Sequence, residues 1–134
     1  MEYEIQYRAA IELRQSERRK ALEAAEQIVT LARRLRESAA GRERVSVSDT
    51  LETIQKQAKR IRSLSGGGES DPVIENWPAD LEAGAEQILA LAESLKQQLE
   101  SLDHRVISLT IINGSTSIIR LADYLREHFR SAGS

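Results

Sequence analysis

The sequence predicts an all-α protein, an antiparallel four-helix bundle built of two long-short helical hairpins. Three observations carry that prediction. The first is a heptad seam: Leu81, Ala85, Ile88, Ala92, Leu95, Leu99, Leu102, Val106 and Leu109 recur at alternating steps of four and three, mostly with polar residues between them. The second is composition. Of 134 residues, 40% are hydrophobic and 30% charged, aromatics are only 4%, and there are two prolines. Helix-forming residues are abundant, and any core must be aliphatic. The third is an internal repeat: AEQIVTLARRLRE (25–37) aligns with AEQILALAESLKQ (85–97) at seven identical positions of 13, and each copy precedes a turn and a second apolar stripe. Two such units, duplicated, give two hairpins that pack as a bundle.

Taken in order, residues 3–38 read as one long helix. Its second half is clean, with Ala21, Ala25, Ile28, Ala32 and Leu35 on one face. Its first half carries only a short stripe, Tyr3, Tyr7, Ala10 and Ile11, followed by the polar run RQSERRK (14–20). Burying that run unpaired would be costly, so the first turns must either project from the bundle or meet a second chain. Residues 39–46 form a turn, with Gly41 suited to a helix C-cap and Ser46 with Asp49 to a capping box. The second helix, 47–64, has the stripe Val47, Leu51, Ile54, Ala58, Ile61 and a basic outer face of Lys56, Lys59, Arg60 and Arg62. These complete hairpin 1 (3–64).

Residues 65–77 (SGGGESDPVIENW) are a linker, because three glycines and a proline do not continue a helix. Hairpin 2 (78–131) then opens at Trp77-Pro78, with proline in the first turn. Its long helix is expected to run to about Ile112. Asn113-Gly114 is expected to break it, and a serine or threonine at 115–117 to cap a short last helix, 116–130, with the stripe Ile118, Leu121, Ala122, Leu125, Phe129. The segment VISLTII (106–112) is rich in β-branched residues, but the heptad phase enters it unbroken, which favours helix. The whole of 1–134 reads as a single helical-bundle domain.

Several functions find no support in the residues. There is no cysteine, so neither disulfides nor cysteine metal sites arise, and a reducing, cytoplasmic location fits. No apolar run approaches the roughly 20 residues of a membrane span. No glycine-rich phosphate loop or serine-nucleophile elbow occurs. Glu100 and His104 could offer a metal only two ligands, and neither His104 nor His128 has the Glu three residues before it that bundle metal sites use. No metal and no cofactor are therefore expected. His128 suits the C-terminal dipole of the last helix, and Trp77 is placed to clamp the linker onto the end of the bundle.

The net charge of −2 divides unevenly. Residues 1–63 carry 14 Lys/Arg against 10 Asp/Glu, whereas residues 64–134 carry 5 against 11. Two halves of opposite sign can simply pack together. A basic face for nucleic acid would need Arg14, Arg18, Arg33, Lys56, Lys59 and Arg60 to merge, and these lack the interleaved aromatics and glycines of such binders.

His104 is the one residue that points to chemistry. The heptad phase puts it at an f position, facing away from the seam, where Ile107 and Ile111 continue a second stripe. From His104 the chain reads HRVISLTIING, with Val106, Thr110 and Gly114 two, six and ten residues on, and Ile118, Leu121 and Leu125 in phase beyond. Over 104–125 this resembles the phosphohistidine helix of histidine phosphotransfer domains, and HRV is similar to the start of the dimerisation-phosphoacceptor helix of some bacterial histidine kinases. The resemblance implies that His104 would accept a phosphoryl group. It departs from the family at Ile107, where the family has a Lys that stabilises the phosphoryl group, and at Ser108, where it has a Gly that admits the receiver domain.

The reading that follows is a non-enzymatic interaction or oligomerisation module. Its partner would be another protein or a second copy of the chain, most simply as a homodimer. Apolar residues outside the seam, Tyr3, Tyr7, Ile11, Ile107 and Ile111, supply the motive. The alternatives are a phosphotransfer bundle using His104 and a nucleic-acid binder using the first hairpin.

Overall fold

The computed structural model describes the backbone of residues 2–65, 71–101 and 108–129, and the side chains of 15–65, 71–100 and 110–129. Four helices make up the protein's described secondary structure: α1 (Glu2–Ala39), α2 (Val47–Leu64), α3 (Leu81–Ser101) and α4 (Ser108–His128). α1 packs on α2 and α3, α4 packs on α2 and α3, and the remaining two pairs lie on the diagonals. The result is a four-helix bundle.

The directions follow from named contacts. The short turn at 40–46 makes α1 and α2 antiparallel. Arg18, in the first half of α1, donates to the carbonyls of Leu99 and Glu100 at the end of α3, while Arg33, further along α1, reaches back up α3 to Glu93. α1 and α3 are therefore antiparallel too. Gly84 lies against Leu125 and Gly114 against Leu95, which sets α3 and α4 antiparallel. Every neighbouring pair runs in opposite directions, and the connection from α2 to α3 must climb the full height of the bundle.

The ends of the helices obey local chemistry. Gly41 adopts φ +80, and the amides of Gly41 and Arg42 donate to the carbonyls of Ser38 (3.0 Å) and Glu37 (2.9 Å). That is a Schellman motif, in which glycine avoids the steric cost of the left-handed region. Ser46 caps α2, its hydroxyl accepting from the Asp49 amide at 3.4 Å. α3 starts at Leu81, later than Pro78, because Asp80 is the cap: its carboxylate accepts from the Ala83 amide at 2.7 Å. A carboxylate there satisfies an orphan donor and meets the positive end of the helix dipole. The other end of α3 is capped from outside by Arg18, at 2.6 Å to Leu99 O and 2.7 Å to Glu100 O.

The core is aliphatic. Ala25, Ile28, Ala32 and Leu35 of α1 are fully buried, as are Leu51, Ile54, Ala58 and Ile61 of α2, Ala85, Ile88 and Ala92 of α3, and Ile118, Ala122 and Leu125 of α4. The two copies of the repeat supply matching positions: Ala25 and Ala85, Ile28 and Ile88, Ala32 and Ala92, Leu35 and Leu95 all face inward.

Hairpin 2 differs from the sequence expectation in three respects. α3 is described to Ser101 and α4 begins at Ser108, so Asn113-Gly114 lies inside α4. The second hairpin therefore pairs two helices of 21 residues each, where a long and a short one were expected. Gly114 does not break α4 because its role is packing. A Cβ there would come 2.9 Å from Leu95 Cδ2. Ser115 is no cap either. It is fully buried, and its hydroxyl donates to Ile111 O at 2.9 Å within the helix. Finally, Ile111 is 3% exposed and belongs to the core, so it offers nothing to a second copy. The last seam positions, Leu102, Val106 and Leu109, lie outside the residues whose side chains are described.

One polar cluster joins α2 to α4. Gln55, 5% exposed, donates from Nε2 to Asp123 Oδ1 (2.6 Å) and Ile119 O (3.2 Å), and its Oε1 accepts from Arg126 Nη1 (2.9 Å). A Gln55→Leu variant removes all three bonds. Asp123 is exposed and can return to water, so the expected loss is modest, about 1 kcal/mol, read as a lower urea midpoint at unchanged slope.

Candidate functional site

Three parts of the surface merit attention: the crossover strap on α4, the basic residues of hairpin 1, and the N-terminal part of α1.

The strap is residues 71–80. Asp71 pairs with Arg120 of α4, whose guanidinium also donates to Pro72 O at 3.3 Å. Further up, Trp77 lies on Tyr124 with ring centroids 4.8 Å apart, and Tyr124 stacks on His128 at 4.0 Å. Gln87 donates to Asn76 O at 3.0 Å, Ile74 is half-buried, and Pro78 is buried. Trp77 thus sits against the end of the bundle where the linker arrives. His128 lies in the last turn of α4, its Nδ1 2.9 Å from Tyr124 O. Trp77 is 49% exposed and Val73 85%, the two large exposed apolar side chains among the described residues.

Three of the basic residues have partners within the protein. Arg18 is spent on the end of α3, Arg33 meets Glu93 at 3.4 Å, and Lys56 pairs with Glu52 at 3.5 Å on its own helix. Lys59 and Arg60 remain exposed on α2. The side chain of Arg14 lies outside the described residues. Arg18, Arg33 and Lys56 are thus paired within the chain, to two backbone carbonyls and two carboxylates. A shallow groove between α1 and α2, lined by Glu23, Glu26, Gln27, Thr30, Leu31 and Thr53, is open and carries no convergent donors. Among the described residues no group of three or more His, Asp or Glu gathers at metal-binding distance, and no helix is long and apolar enough to cross a membrane.

His104 lies between α3 and α4, outside the described residues, as does Ile107. Glu100, one turn before it in the sequence, is exposed at the end of α3 and offers its backbone carbonyl to Arg18. Of the resemblance's hydrophobic positions, Ile118, Leu121 and Leu125 are buried in the core.

The remaining feature is the length of α1. At about 1.5 Å per residue its 38 residues span about 57 Å, against about 31 Å for the 21 of α3. Arg18 marks the level of α3's last turn. α4 starts at this same end, and α2, with 18 residues, is too short to reach beyond it. Residues 2–17 therefore continue as helix past the ends of the other three. The first buried side chain of α1 among those described is Ala21, and Gln15, Ser16, Arg19 and Lys20 are exposed. Length was legible in the sequence. That α1 alone overhangs became visible only once α2 and α3 were placed. Comparison with family models, with curated proteins and with solved structures gives no match for this chain.

Proposed function

We propose that the protein is a non-enzymatic interaction module of the cytoplasm in which the bundle anchors a projecting helix, residues 2–17 of α1, that docks another protein chain. The observation carrying this reading is the overhang itself. An isolated helix of that length is marginal in water, and helices in proteins owe most of their stability to packing of an apolar face. This one carries Tyr3, Tyr7, Ala10 and Ile11 at helical spacing and has no described helix beside it. A partner chain would supply the missing packing.

The test uses the full chain and a Tyr7→Lys/Ile11→Lys double variant as baits in extract from the native host. The parent is expected to retain a partner chain, its own or another, and the variant to lose it while keeping the same unfolding midpoint, since the described core starts at Ala21. Equal retention by both baits, or a variant that unfolds with the loss of the bundle, would reject the overhang as the docking element.

A further inference from the structure

The alternating step that places Leu35, Ala32, Ile28, Ala25 and Ala21 in the core can be carried back along the same continuous helix. It reaches Arg18, Arg14, Ile11, Tyr7 and Glu4 in turn. Beyond the bundle the seam of α1 thus reads Glu4, Tyr7, Ile11, Arg14: two apolar positions in the middle, a carboxylate at one end, a guanidinium at the other.

That order is complementary to its own reverse. When two such helices lie antiparallel with Tyr7 opposite Ile11 of the partner subunit, Glu4 falls opposite Arg14 of the partner subunit, and the symmetry repeats both pairs. A parallel pairing would set Glu4 against Glu4 of the partner subunit and Arg14 against Arg14 of the partner subunit, like charge on like charge. With residues 7 and 11 opposed, residue 2 lies opposite residue 16 of the partner subunit, short of the described core, which starts at Ala21. Arg18 itself stays with the carbonyls of α3.

We propose that the occupant of the overhang is a second copy of this chain, forming a two-fold symmetric dimer in which the helical segments 2–17 pair antiparallel and hold two bundles at opposite ends of a short rod. This rests on the docking role proposed above and specifies its partner. The contact is isologous, as a closed dimer requires. With two apolar layers per copy it is smaller than a standard interface, so dimerisation is concentration-dependent.

Charge reversal tests the register. In sedimentation equilibrium across micromolar concentrations, the parent chain is expected to pass from monomer to dimer. Glu4→Arg alone and Arg14→Glu alone each turn two attractive pairs into two repulsive ones, and each is expected to weaken dimerisation by about tenfold or more. Mixing the two variants restores the pairing. At one end the guanidinium introduced by Glu4→Arg meets the carboxylate introduced by Arg14→Glu. At the other end the unchanged Arg14 of the first variant meets the unchanged Glu4 of the second. A heterodimer of parental stability should therefore form. Circular dichroism of each variant, matched to the parent, separates lost pairing from lost helix. A parent that stays monomeric, single variants that dimerise as well as the parent, or a mixture that fails to pair would each overturn the self-pairing. The docking role is judged apart from it: if the Tyr7→Lys/Ile11→Lys bait still loses a different protein that the parent retains, that role stands and only the identity of the occupant falls.

Discussion

Ile88→Ala and Leu95→Ala are each expected to lower the unfolding free energy by about 2–5 kcal/mol, the range for truncating a large buried aliphatic side chain. Ile88 is 0% exposed and Leu95 2%, and both stand on the α3 face that meets the rest of the core. Ile88 is fully buried, so water cannot fill the space that its truncation leaves. Leu95 lies against Gly114, which has no side chain at all, so the cavity left by Leu95→Ala would stay open and its cost should fall toward the upper end of the range. Glu86→Ala, on the exposed face of the same helix, should change stability by no more than about 0.5 kcal/mol. Urea denaturation at a common slope reads all three. A cost under about 0.5 kcal/mol at Ile88 or Leu95, the level of ordinary surface sites, would mean the seam has been put on the wrong face.

The bundle was legible from that seam, because a heptad pattern reports which face is buried without reference to the partner. The caps at Gly41 and Ser46 were legible for a similar reason: each is a local contact set by residues within one turn. The boundary between α3 and α4 differs from the expected one because the four-three phase runs on past Ser101 in the sequence, while the strongest breaker signal, Asn113-Gly114, lies inside α4. Glycine signals a break only where the space of its missing Cβ goes unused, and at 114 the side chain of Leu95 packs into that space. That packing is a tertiary contact and has no signature in the local sequence.

A corrective signal was present. The repeat aligns residue 25 with residue 85, a shift of 60. Carried forward, the same shift maps α2, Val47–Leu64, onto 107–124, close to the observed start of α4 at Ser108. It pairs Leu51 with Ile111, Ala58 with Ile118 and Ile61 with Leu121, all buried, and Gln55 with Ser115, both buried and polar. Ser48, Thr50 and Arg60 recur as Ser108, Thr110 and Arg120. The internal similarity thus extends beyond the 13-residue window in which it is obvious. The cations of hairpin 1 were a different matter. Their pairing depends on Glu93, Glu52 and two α3 carbonyls, and a linear charge count cannot see those partners.

Gly84→Ala is expected to destabilise the protein even though alanine is the better helix former. On an exposed helix the exchange would stabilise by up to about 1 kcal/mol. Here Gly84 is buried in the first turn of α3, and an added Cβ would overlap Leu125 Cδ2 and crowd its Cγ at 3.0 Å. Leu125 is itself 0% exposed, so it has no free space into which to rotate. Overpacking of this kind costs about 1–3 kcal/mol, which exceeds the propensity gain and leaves a net loss. Gly114→Ala makes the milder contact, one Leu95 methyl at 2.9 Å and its Cγ at 3.4 Å, and should come out closer to neutral. The cause can be isolated with a double-mutant cycle. Leu125→Ala alone should cost about 2–5 kcal/mol through the cavity it opens. In the Gly84→Ala background the new methyl partly fills that cavity and the overlap is gone, so the two losses should fall short of additive by about 0.5–3 kcal/mol. Additive losses would mean that α3 and α4 do not approach closely at this pair, and that Gly84 is glycine for a reason other than Leu125.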